Sequence, residues 1–162
     1  MKIRRVVTGH DEAGKAVFVD DRDVEPITVS LSPGAEYHRL WGGNEAPSFP
    51  DDGAPRDAEP FFPAVGGYRF LLFQVPPGHR QEAPAAVPSA EEIEAGLAEM
   101  DDKLPGLRDH LEPEAPGMHT TATIDFEIVL EGEVWLELDD GAEVHLKPGD
   151  AMKVALLAME AA

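Results

Sequence analysis

The sequence predicts an all-β fold, an antiparallel sandwich or barrel with one amphipathic helix laid across it. Three observations predict this. Short β-type runs separated by Gly, Pro and Asp turns begin at Ile3, a two-residue alternation of apolar and polar side chains starts after His119, and two further runs face each other across Asp139-Asp140-Gly141. At 162 residues and 43% hydrophobic content the chain is long enough to bury one core, so a single domain over 1–162 is expected.

In chain order, 1–44 holds the N-terminal strands. Ile3 to Thr8 and Ala16 to Val19 flank a Gly9-to-Gly14 turn, and Tyr37 to Trp41 follows Ser32-Pro33-Gly34. The stretch 45–67 carries five Pro and three Gly and reads as an irregular loop. Tyr68 to Val75 is aromatic and apolar and reads as a strand stopped by Pro76-Pro77-Gly78. A Pro/Ala linker, His79 to Pro88, leads to Ser89. With Glu92 three residues on, Ser89 forms a capping box, and Ile93, Leu97, Met100 and Leu104 recur at helical spacing. The helix is placed at 89–111, with Pro105-Gly106 as a break and a further turn through Leu107 and Leu111.

The core strands are placed at 118–150. Ile124, Phe126, Ile128 and Leu130 alternate with Thr123, Asp125, Glu127 and Val129, giving one apolar and one mostly polar face. After Glu131-Gly132-Glu133, a three-residue loop with Gly141 at positive φ sets Leu136 against Val144 and Val134 against Leu146, with Trp135 against His145 on the other face. The tail 151–162 is atypical, being made of helix formers with apolar residues at 152, 155, 156 and 159.

Composition excludes several function classes. Thirteen basic against 32 acidic residues give a net charge of −19, a field that repels nucleic-acid phosphates and anionic lipid, so neither nucleic acid nor membrane is an expected partner. The absence of Cys removes disulfides, thiolate metal sites and a Cys nucleophile. No apolar segment follows Arg4 and Arg5 and no long apolar run occurs, which predicts a cytoplasmic protein. There is no G-x-S-x-G elbow and no Gly-rich phosphate loop.

Within 118–149 the residues His119, Thr121, Asp125 and Gly132 fall at the spacing H-x-T-x(3)-D-x(6)-G. This resembles the first motif of the cupin superfamily, H-x-H-x(3 or 4)-E-x(6)-G. The stretch from Gly117 to Asp150, with the capped helix before it, is similar to small single-domain bacterial and fungal cupins of the RmlC-like jelly-roll type. The resemblance implies an antiparallel jelly-roll barrel and places His119 and Asp125 at metal-ligand positions, with Thr121 in the place of the second His. Imidazole plus carboxylate suits a divalent metal such as Fe, Mn, Ni or Zn, but a hydroxyl is a poor third ligand. The second cupin motif, G-x(5)-P-x-G-x(2)-H-x(3)-N, is departed from, because Ala155, Leu157 and Glu160 stand where its Pro, Gly and His belong.

A barrel incomplete at its C-terminal end is therefore expected, with open edges that favour a homodimer. The functional reading is a cupin-fold protein that binds a small organic molecule in its barrel without a complete metal site. Thr121, Thr123, Glu127, Trp135 and His145 are its candidate pocket residues. The alternatives are a metal-dependent oxygenase, decarboxylase or isomerase using His119 and Asp125, and a truncated, non-functional fragment. The leading reading requires His119, Thr121 and Asp125 to share an inward face. Tyr37, His38 and Trp41 are read as core and rim packing, with closure over a ligand as their alternative role.

Overall fold

The structure, a computed structural model, describes residues 2–76, 88–112 and 118–155. The chain divides into two compact units, Met1–Leu111 and Glu112–Ala162.

The first unit opens with β1 (Ile3–His10) and β2 (Ala16–Val24), an antiparallel hairpin. Both strands run past the lengths expected from apolar content alone. The acidic end of β2 stays extended where its carboxylates meet β1: Arg4 donates to both oxygens of Asp21 at 2.6 Å, and Arg5 pairs with Asp20. Next, β3 (Glu36–Gly43) pairs antiparallel with β4 (Tyr68–Gln74), with a bulge between Arg39 and Trp41. The chain from Asn44 to Gly67 contains no regular element, as its Pro and Gly content predicts.

The helix, α1 (Ala90–Lys103), begins with the predicted capping box. Ser89 accepts from the Glu92 N–H at 3.2 Å, and Glu92 accepts from the Ser89 N–H at 2.7 Å. Leu104 caps its C-terminus before Pro105-Gly106, and the further turn is a short 3-10 segment, Arg108–His110. On one side α1 is tied down by Glu99, which accepts from the Ser30 N–H at 2.8 Å and from Lys103 at 2.6 Å; Lys103 also donates to the Thr28 carbonyl at 2.9 Å. The core lies between α1 and the β3–β4 sheet. It consists of Val29, Phe61, Met100, Leu104 and Leu107, with Ile27, Leu31, Tyr37, Phe62 and Leu71 packed against it. Tyr37 lies edge-on to Phe61 and stacked on Phe73, and His38 is buried. Trp41 is half exposed, leaning on Phe70.

The second unit holds β5 (Ile124–Ile128), β6 (Val134–Glu137), β7 (Glu143–Leu146) and β8 (Ala151–Ala155). The β6–β7 hairpin has the expected register, Val134 opposite Leu146, Trp135 opposite His145 and Leu136 opposite Val144. Its loop is the three-residue turn, closed by Leu138 N–H to the Ala142 carbonyl at 2.8 Å, with Asp140 and Gly141 both at positive φ (61° and 74°). Outside this hairpin, β5 pairs antiparallel with β8, Ile124 opposite Ala155 through Ile128 opposite Ala151.

That pairing runs against the helix-forming composition of the tail 151–162. Residues 151–155 form a strand, because the free backbone groups of β5 offer a ladder that outweighs the weak helix preference of Ala, Met and Lys. Residues 156–162 lie outside the described part, as do most of the predicted linker and the segment before Met118.

The fold is β-rich with antiparallel sheets, as predicted. Each of the four sheets contains two strands, and among the described residues they do not close into a barrel. Among those residues no helix is long and apolar enough to cross a membrane.

Candidate functional site

The segment from Thr121 to Leu130 alternates in exposure with period two, as an extended chain must when one face is covered. The covered face is the polar one. Thr121 is only 3% exposed, and Thr123, Asp125, Glu127 and Val129 are all partly shielded. The apolar side chains take the other side, Ile124, Phe126 and Ile128 at 58, 81 and 59% exposure. Hydrophobic burial alone predicts the reverse arrangement.

Two side chains of β8 flank the polar row. Val154 lies opposite Asp125 and Met152 opposite Glu127, and directly opposed residues project to the same side of a sheet. The row is internally bonded at its start, where the Thr121 and Thr123 hydroxyls lie 2.7 Å apart. Thr120, out of phase with them, donates to Glu112 at 2.8 Å, and the Glu112 N–H reaches the Met118 carbonyl at 3.0 Å, which fixes the approach to the row.

The electrostatics of the row follow from this shielding. Burial pushes the Glu127 carboxyl above its ordinary value, the charge of Asp125 pushes it further, and His119 partly offsets both. His119 and Asp125 each act on the Glu127 carboxyl, and Asp125 and Glu127 lie on the face where alternation places Thr121 and Thr123. Met152 and Val154 belong to the same surroundings. The signal that reveals them is the apolar alternation in Ala151-Met152-Lys153-Val154-Ala155, which composition-based helix preference obscures.

A carboxyl raised in the native state holds its proton more tightly in the fold than in the unfolded chain. Ionisation of Glu127 therefore opposes folding above its ordinary value of 4.5, and the penalty fades as pH falls through the native pKa and below that value. Glu127→Gln is expected to melt slightly higher than the parent at pH 7 to 8, with the gain shrinking to nothing under acid conditions. Thermal scans across pH check this, and a variant that melts lower than the parent at pH 8 would contradict it.

The remaining sequence candidates sit on the β6–β7 hairpin. Trp135 and His145 stack face to face, centroids 4.3 Å apart and planes within 6°, and His145 Nε2 meets a Glu133 oxygen at 2.9 Å. Trp135 is 44% exposed, so this cross-strand stack forms an outer surface of the hairpin.

The donor set does not fit a metal centre as the family motif would require. A Thr hydroxyl is a weak ligand beside imidazole and carboxylate, and among the described residues no three His, Asp or Glu side chains converge in a metal-holding arrangement. Two surface recesses, of about 430 Å³ along α1 and about 540 Å³ beside the β1–β2 turn, are lined by none of the candidate residues.

No protein-family model matches the chain, and no curated protein matches its sequence.

Proposed function

We propose that this chain binds a small organic molecule against the shielded polar face of β5, in a fold of the cupin type. The observation that carries the reading is the inverted strand: Thr121, Thr123, Asp125 and Glu127 are shielded while Ile124, Phe126 and Ile128 are exposed. Polar side chains cost free energy to shield unless they are bonded, so a shielded row of hydroxyls and carboxylates makes sense as the lining of a ligand site. The hydroxyl pair and the two carboxylates offer acceptors for ligand hydroxyl or amine groups. A metal-dependent reaction would need a third donor converging with His119 and Asp125.

Ligand-observed NMR with a set of small hydroxylated and amine compounds tests this reading. Binders are expected whose affinity falls about tenfold in Thr121→Val and in Glu127→Gln, the loss of one shielded hydrogen bond each. A set with no binder, or binders indifferent to both substitutions, would remove the proposal.

A further inference from the structure

The arginines of this acidic chain divide into two groups. Among the described residues Arg4, Arg5, Arg22, Arg56 and Arg108 each hold an aspartate in an ion pair, whereas Arg39 and Arg69 hold none. With 32 acidic residues to choose from, an arginine without a carboxylate partner is the exception.

The two exceptions are neighbours. Both lie on the β3–β4 sheet and grip consecutive residues of the irregular loop: Arg69 donates to the Pro60 carbonyl at 2.7 and 3.1 Å, and the Arg39 guanidinium carbon lies 5.6 Å from the centre of the Phe61 ring. Arg69 is otherwise engaged with neutral acceptors, the Gly43 and Tyr68 carbonyls at 2.8 Å and Asn44 Oδ1 at 2.9 Å. Its pKa is lowered first by burial and then by the charge of Arg39, which places the two cations within reach of each other. Glu59 and Asp57 act on this pair through their fields without forming an ion pair with either.

Arg39 is the less satisfied member. It is half-buried, and its Nη2 is a shielded nitrogen without a hydrogen-bond partner. A shielded donor on a charged group left unbonded is costly, and the aromatic face beneath it offers only partial compensation. A planar guanidinium fork is shaped to receive two oxygens of one oxyanion.

We propose that Arg39, with Arg69 beside it, forms a subsite for an oxyanion, the carboxylate or phosphate of a small ligand. The Phe61 ring beneath Arg39 holds the guanidinium in place, and Arg69 adds a second positive charge that its neutral partners leave uncancelled. The surrounding field is negative, so binding must be local and short-range, and it weakens as salt rises.

The 162-residue chain is titrated with sodium phosphate, and separately with sodium acetate, at ionic strength matched with sodium chloride, while the arginine Nε–H resonances are followed by NMR. Saturable shifts confined to Arg39 and Arg69 are expected; read at Arg69, binding weakens about tenfold or more in Arg39→Gln, falls less in Arg39→Lys, which keeps the charge but loses the fork, and is retained in the control Arg22→Gln. Saturation by phosphate alone assigns the subsite to phosphorylated ligands, and saturation by acetate also assigns it to carboxylates. Linear shifts spread over all arginines, or equal responses in Arg39→Gln and Arg22→Gln, would overturn the proposal. The wild-type titration decides the matter even if a variant fails to fold.

Discussion

Replacing Leu104 by Ala is expected to destabilise the first unit by about 2–5 kcal/mol, the range seen when a fully buried leucine leaves a cavity. Leu104 is 0% exposed and, among the described residues, is the largest side chain with essentially no solvent contact. It sits where α1 ends: its N–H bonds the Met100 carbonyl at 2.8 Å, and its own carbonyl receives the Leu107 N–H at 3.0 Å. The surrounding cluster draws on three separate parts of the chain, Val29 before β3, Phe61 in the loop, and Met100 and Leu107 at the helix end. A hole there is hard to refill, because the Pro105-Gly106 turn and the Phe61 N–H bond to the Pro105 carbonyl (2.7 Å) fix the backbone on both sides. The two tryptophans, Trp41 and Trp135, report one unit each. In a Trp135→Phe background, urea unfolding followed at Trp41 should shift its midpoint strongly with little change in slope. A loss below about 1 kcal/mol would show that the cluster is not the core of this unit.

The second large effect is expected at Gly9, in β1. A Cβ added there would fall on the backbone carbonyl of Asp52 and 2.7 Å from the Gly53 nitrogen. Neither obstacle is a side chain that can rotate away. The loop is pinned against the strand by the His10 N–H to the Asp51 carbonyl at 3.1 Å, and its own turn is held by the Gly53 N–H to the Asp51 carboxylate at 2.6 Å. His10 also meets the Phe49 ring edge-on at 5.5 Å. Gly9→Ala must therefore displace the loop or bend the strand, at a cost of about 1–3 kcal/mol or more. Gly14 supplies the contrast. At φ 76° a Cβ at this position would meet nothing within 4 Å, so Gly14→Ala adds only the strain of a left-handed alanine, roughly 1 kcal/mol. Chemical denaturation of both variants, with hydrogen exchange over residues 45–56, separates them. Gly9→Ala should open the loop and Gly14→Ala should not, and equal behaviour would mean that the loop does not pack on β1 as described.

How much of the candidate site is legible in the sequence depends on the kind of information required. Alternation from Thr121 to Leu130 fixes which side chains share a face, since successive residues of an extended chain must point in opposite directions. It leaves open which face is covered. An apolar row of Ile, Phe and Ile ordinarily turns inward, and the structure covers the Thr, Asp and Glu row instead, with Met152 and Val154 alongside. The expectation that His119, Thr121 and Asp125 share a side depends only on spacing. The company they keep depends on β8, whose composition favours a helix and whose conformation is decided by its partner.

By itself the sequence determined the features whose causes are local: the Ser89–Glu92 capping box, the end of α1 before Pro105-Gly106, the three-residue turn through Gly141, and the Trp135–His145 register that follows from it. Each rests on hydrogen bonds and backbone angles between residues close in the chain, which a one-dimensional pattern records. Tertiary structure alone decided the features that join distant segments. It drew Phe61 out of an irregular loop into the core, set Ala151–Ala155 beside β5 as a strand, and left Arg39 and Arg69 together without a carboxylate. Burial, strand pairing and charge pairing at long separation depend on which surfaces meet, and a chain's local preferences do not specify that meeting.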